Sequence, residues 1–293
     1  MITTQGHTSS GEPGFIRTAD GVDLFYRDWG EGEPVVFVAS WSMPSDSWFY
    51  PMLALSEQGL RCVGFDRRGH GRSSDPGRGY DFNTLADDIA AVIEALDLPR
   101  VTLVGHSVAG AEIVRYLTRH GSERVARIAL VSTTTPFLPK TADNPKGIEA
   151  AIFESVRRDQ LMRDFPKWIE DNLQPFATPQ TSPQMLEWVR GMALQASLQA
   201  LVQMNRALTT EDFRAELAGI SVPALVIHGD NDVSSPFDLT GRATSDLIPG
   251  AQLKIYEGAP HGLFVTHIER LTSDLLDFVQ ERAPGTSFPL GVG

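Results

Sequence analysis

The stretch Val101-Thr-Leu-Val-Gly-His-Ser-Val-Ala-Gly-Ala111 decides how this chain is read. A β-branched apolar run ends in Gly-His-Ser and passes at once into small residues that open a helix. That is the layout of a nucleophile elbow, a strained strand-to-helix turn that lifts a serine hydroxyl above the edge of a sheet. Helix and strand approach closely only if the side chains beside the serine are small. Gly105, Ala109 and Gly110 meet that need. A bare Gly-x-Ser-x-small match is weak; the strand before it and the helix after it make it specific.

Working outward, apolar runs recur at Phe15–Thr18, Val22–Trp29, Pro34–Ala39, Leu60–Phe65, Val101–Val104, Ile128–Ser132, Ala224–His228 and Leu253–Tyr256. The first two read as an antiparallel pair joined at Asp20-Gly21. Pro34–Ala39 is apolar throughout, as expected for a strand covered on both faces, and the later runs follow the same style with single polar interruptions such as Arg61 and Lys254. Between them lie helices with a 3.6-residue period. Leu85, Ile89, Val92, Ile93 and Leu96 form one stripe, with Asp81 placed to cap its start, and Phe264, Ile268, Leu271, Leu275 and Phe278 form another. Such alternation predicts an α/β protein with a mostly parallel eight-stranded sheet flanked by helices. The expected core is 15–136 with 219–282; residues 1–14, which are polar, and the tail 283–293 are expected to be poorly ordered ends. Residues 137–218 carry no convincing strand and are interrupted by Pro145, Pro166, Pro175, Pro179 and Pro183. They read as a helical cap over the C-terminal edge of the sheet, where open α/β sheets bind ligands. Of its large side chains (Phe153, Phe165, Trp168, Phe176, Met185, Trp188 and Met192), a minority are expected to face that site, with Trp168 and Trp188 the candidates for the pocket.

A serine is a poor nucleophile at neutral pH and needs an imidazole in reach, itself oriented by a carboxylate. On an elbow the chain order is serine, acid, histidine. Of seven histidines, His120 lies far along the helix after Ser107 and His228 lies inside a strand. His261 follows a strand in the loop Glu257-Gly-Ala-Pro-His-Gly262, at the active edge, whereas His267 falls in the last helix. The acid belongs on the loop after Ala224–His228, where Asp230 and Asp232 are both available; Asp230, next to the turn glycine, suits holding the loop. A tetrahedral oxyanion needs two main-chain donors. Val108, directly after the nucleophile, supplies one, and Trp41 in Ser40-Trp-Ser-Met-Pro44 is the candidate for the other, its ring walling the acyl pocket.

The 293 residues carry 37 acidic and 25 basic side chains, a net charge of −12. That argues against nucleic acid and anionic membranes as partners. The single Cys62 forbids an internal disulfide and suits a reducing compartment. No secretory signal and no membrane span is visible, so a cytoplasmic protein is expected. No cluster of metal ligands and no cofactor motif is present, and the expected partner is a small acyl substrate, with a homo-oligomer left open.

Four blocks in order resemble the α/β-hydrolase superfamily, and within it the cofactor-free non-heme haloperoxidases. They are Ala39-Ser-Trp-Ser-Met-Pro-Ser-Asp-Ser-Trp48, Gly64-Phe-Asp-Arg-Arg-Gly-His-Gly-Arg-Ser-Ser-Asp-Pro76, Gly105-His-Ser-Val-Ala109, and Val226-Ile-His-Gly-Asp-Asn-Asp232 with Tyr256-Glu-Gly-Ala-Pro-His-Gly262. The resemblance implies an α/β-hydrolase fold and a serine esterase with perhydrolase side activity. It assigns the triad to Ser107, Asp232 and His261, and makes Arg67–Gly71 a structural loop beside the site. Esters, lactones and related acyl compounds are the implied substrates. C–C bond hydrolases, hydroxynitrile lyases and cofactor-free dioxygenases share this triad, and a slow-turnover receptor could keep it. The family usually has His-Gly where this chain has Ala39-Ser40, so Ser40 is expected in the pocket wall with its hydroxyl free to donate.

Overall fold

Runs of Val, Ile and Leu bury both faces of an extended chain, and the central strands here are covered at every position. The structure, a computed structural model, describes residues 14–281. The expected tail from 283 and all of the expected N-terminal end but Gly14 lie outside them. Eight strands form one sheet: β1 Gly14–Arg17, β2 Asp23–Trp29, β3 Glu33–Val38, β4 Leu60–Phe65, β5 Val101–His106, β6 Val125–Val131, β7 Ala224–Gly229 and β8 Gln252–Tyr256. Their order is β1-β2-β4-β3-β5-β6-β7-β8. β1 pairs antiparallel with β2 and β2 with β4; every later pairing is parallel.

Helices cover both faces. Phe82–Ala95 and Ala109–His120 pack one side through Leu85, Ile89, Ile93, Ile113 and Val114, while Phe49–Glu57 and Ile268–Gln280 pack the other through Met52, Leu55, Leu271, Leu275 and Phe278. Asp81 caps the first of these, accepting from the Thr84 amide at 3.0 Å.

Two boundaries differ from the sequence reading. β6 starts at Val125, not Ile128, because Arg127 does not end the strand: its guanidinium lies over the Phe278 ring and donates to the carbonyl of Glu281 at 2.7 Å. The last helix is broken at His267 (φ −133°, ψ 41°), so Phe264 belongs to a separate short helix, Leu263–Thr266.

Between β6 and β7 the regular elements are helical: Ala150–Ser155, a π-helical turn at Val156–Leu161, Phe165–Phe176, Pro183–Ala193, Leu198–Leu208 and Arg214–Ala218. Side chains of Asp164, Ser182 and Ser197 cap three of them. Pro166 and Pro183 sit in the first turn, where a missing N–H costs nothing. No helix among the described residues is long and apolar enough to cross a membrane.

Candidate active site

The end of β5 turns sharply into the helix Ala109–His120, and Ser107 sits on that turn with φ at 60°. A left-handed conformation is costly for a residue with a Cβ and persists only where the surroundings impose it. Here the Ser107 amide donates to Val131 O at 2.8 Å and its carbonyl accepts from Gly110 N at 3.0 Å. The small neighbours are required by contact. A Cβ on Gly105 would stand 2.6 Å from Ile113 Cδ1, and one on Gly110 would stand 2.2 Å from Thr133 Oγ1.

Asp232 and His261 lie on the loops after β7 and β8. Asp232 Oδ1 accepts from the amides of Ser234 and Ser235 at 2.9 and 2.8 Å, and its Oδ2 accepts from His261 Nδ1 at 2.7 Å. His228 Nε2 donates mainly to Ser235 O at 2.9 Å and stands 3.3 Å from Asp232 Oδ2. Burial alone would raise the Asp232 carboxyl. The adjacent His261 and His228 outweigh burial and hold it well below the usual carboxylate range. Asp230 instead accepts from Gly258 N at 2.6 Å and ties the β7 and β8 loops together. His267 pairs with Thr266 Oγ1 and His120 with Asp87, away from this cluster.

Ser107 and His261 line one cavity of about 320 Å³, together with Ser40, Trp41, Val108 and Trp168. Ser107 Oγ is not hydrogen-bonded to His261 Nε2 in the free protein; such bonds commonly tighten only when substrate is bound. With Nδ1 committed to Asp232, Nε2 is the free imidazole nitrogen. The main-chain amides of Trp41 and Val108 find no acceptor among the described residues. Trp188 is the exception among the expected residues. It does not line the cavity but packs against Phe49 and Tyr50, with ring centroids 6.5 and 6.0 Å away, because its helix turns the neighbouring Val189 inward.

Ser40 is buried and has an ordinary negative φ; the left-handed strain falls two residues on, at Ser42 (φ 66°). Serine is therefore accommodated at this position without backbone strain.

Sequence reasoning placed Arg67 in a structural loop beside the site without its partners, and missed two further supports. Arg67, fully buried, donates to Ala39 O at 2.6 Å and Ser40 O at 3.1 Å while its Nε bonds Glu112 Oε1 at 2.8 Å. One guanidinium thus ties the loop carrying Trp41 to the helix that follows Ser107; an Asp-Arg pair directly after an apolar strand was the available signal. Phe176 accepts from Gly262 N at 3.0 Å, and its ring lies 5.7 Å from that of His261. A Cβ on Gly262 would meet Phe176 O at 2.4 Å, which explains the glycine after His261. His106 Nε2 donates to the carbonyl of His261 at 2.9 Å, fixing the loop from below.

Burial pushes the imidazoles of His106, beside His261, and His70, beside Arg67, down to about 3. An unperturbed histidine titrates near 6.5, so between about pH 6.5 and 3 the unfolded chain takes up protons at both sites that the folded chain refuses. Stability should fall on acidification through that window, by up to about 1.4 kcal/mol per pH unit for each histidine. Thermal unfolding from pH 7 to 4.5 checks this, with His70→Asn expected to flatten the dependence. An equal slope in the variant would rule His70 out as a source.

The elbow, the order of the three side chains and the strand order define an α/β-hydrolase, and the sequence pattern of the alpha/beta hydrolase fold family matches residues 33–268; the chain belongs to that family. The non-heme chloroperoxidase CPO-A1 of Kitasatospora aureofaciens is 36% identical over 270 residues, which is 90% of this chain and 98% of that one. A bifunctional esterase/perhydrolase of Acinetobacter calcoaceticus is 35% identical, covering 91% and 99% of the two chains. Among solved structures, an esterase of Exiguobacterium antarcticum superposes with a TM-score of 0.88 at 30% identity, over 92% of this chain and all of that one. Within the family the chain falls in the non-heme haloperoxidase branch, and it is a hydrolase.

Proposed function

We propose that the protein is a serine esterase that cleaves carboxylic esters, lactones or related acyl compounds through an acyl-serine intermediate. The observation that carries this is a serine on a strained elbow, sharing a cavity with two unpartnered main-chain amides and an imidazole already bonded to a carboxylate. His261 Nε2 takes the Ser107 proton as Oγ attacks the substrate carbonyl. Asp232 holds the Nδ1–H tautomer and stabilises the imidazolium. The Trp41 and Val108 amides, the latter at a helix N-terminus, receive the developing oxyanion. Nε2 then protonates the departing alcohol, and water, activated by the same nitrogen, releases the acid. The esterase/perhydrolase relative supports a side reaction in which hydrogen peroxide replaces that water and gives a peracid.

A fluorophosphonate probe should label Ser107 in the folded protein and leave Ser107→Ala unmodified, read by intact mass. Folded wild-type protein that stays unlabelled overturns the assignment. With p-nitrophenyl acetate, sustained turnover after the initial burst is expected; release that stops near one equivalent indicates a slow-turnover receptor instead.

A further inference from the structure

The wall of the cavity away from Ser107 has a chemistry that the triad does not use. Among the described residues that line it there is no aspartate, glutamate, lysine or arginine. Its lining is mainly apolar, with residues such as Trp41, Leu161, Trp168, Ile169 and Leu173, and carries the neutral amides of Gln160, Asn172 and Asn205. Burying a carboxylate or ammonium group there would leave the charge without a counter-ion among the lining residues. Uncharged substrates are therefore the ones the cavity accepts.

One polar group in this wall is held in a fixed orientation. Asn205 lies inside the helix Leu198–Leu208, where asparagine is a poor helix former, and its side chain reaches the cavity. Its Oδ1 accepts from Arg157 Nη1 at 2.9 Å. A guanidinium only donates, so the amide cannot be turned the other way, and Nδ2 is left as the free end. Nδ2 has no acceptor among the described residues, nor is it sealed in the interior as an orphan donor. Arg157 is itself buried and braced, by Thr209 Oγ1 at 3.0 Å and the Glu154 carboxylate at 2.7 Å. Trp41 Nε1 donates to Leu201 O at 3.1 Å on the same helix. Asn205 therefore stands one turn, about 6 Å, along the helix from the point that touches the oxyanion loop.

We propose that Asn205 is a specificity-determining residue whose Nδ2 donates to a second, uncharged oxygen of the substrate. The preferred substrates are then neutral, largely apolar esters that carry a carbonyl or ether oxygen several atoms from the scissile group. The assignment rests on the hydrolase reading above, since it names the substrate class of the same cavity.

The test compares p-nitrophenyl heptanoate with its 4-, 5- and 6-oxo derivatives and with the p-nitrophenyl monoester of adipic acid. Wild-type protein should favour one oxo ester over heptanoate by about three- to tenfold in kcat/KM, the range of one neutral hydrogen bond, and should discriminate against the charged monoester. Asn205→Asp keeps the shape and the Arg157 contact but turns the donor into an acceptor; Asn205→Leu removes both. Each should bring the oxo-to-plain ratio close to one. A ratio unchanged in both variants, or no oxo ester favoured by wild type, overturns the assignment. Binding of ethyl heptanoate and the three ethyl oxoheptanoates to Ser107→Ala, with and without Asn205→Leu, is read by fluorescence of Trp41 and Trp168. Absence of Ser107-dependent hydrolysis in wild type would end the serine-esterase reading, and the binding arm would still decide on Asn205. Kd ratios near one for every oxo ester in Ser107→Ala overturn it.

Discussion

Ser107→Ala is expected to lower kcat for p-nitrophenyl esters on the order of 10⁴-fold or more, with KM little changed. The methyl group keeps the elbow packed, so what is lost is the nucleophile and not the fold. His261→Ala should cost on the order of 10³-fold or more, because Oγ then has no base. The double variant is the sharper measurement. In the proposed mechanism serine and imidazole act as one unit, so removing both should cost little more than removing Ser107 alone. Residual activity would then reflect the two amides and the cavity. Multiplicative losses would mean that the two side chains act independently, and the mechanism would have to be abandoned. Loss on changing His267 with activity retained in His261→Ala would reassign the base.

The second large effect is expected at Arg67, which touches neither nucleophile nor base. Its guanidinium is 1% exposed, holds the Ala39 and Ser40 carbonyls, and pairs with Glu112 at 2.6 Å. Arg67→Met removes one partner of a buried pair and leaves the Glu112 carboxyl, raised by its own burial, without its cation. A loss of about 3–5 kcal/mol in urea unfolding is expected. Pairing it with Glu112→Leu removes the orphaned charge and should restore most of that stability, since apolar replacements of buried pairs are often neutral. Activity should not return with it. Two carbonyls that position the Trp41 amide would remain unclamped, and a misplaced oxyanion donor costs about 10²–10³-fold in kcat. If the double variant regains both stability and kcat, Arg67 is a packing residue and does not position the oxyanion loop.

Much of this molecule is written in local pattern. Short apolar runs bounded by turn residues and alternating with helical periodicity read as covered strands, and Gly105-His106-Ser107 between a strand and a helix needs no long-range information to be read as an elbow. The strand that began early and the helix that broke at His267 are cases where a distant partner overrides local preference: Arg127 is retained in β6 through Phe278 and Glu281, 151 and 154 residues away. Trp188 shows the same limit. The 3.6-residue period marks a helix in that stretch but not which neighbour, Trp188 or Val189, turns toward Ser107.

What the amino-acid order determined by itself was the alternation of strands and helices, the elbow, and the candidates for nucleophile, base and acid. Each of these depends on residues near one another in the chain, where steric and periodic rules act directly. Tertiary structure alone decided how Arg67 bridges two loops, how Phe176 closes over His261, and which face of Asn205 is left open. Those arrangements join groups separated by tens of residues or more, and hydrogen-bond geometry at such distances is set by packing that no local pattern encodes.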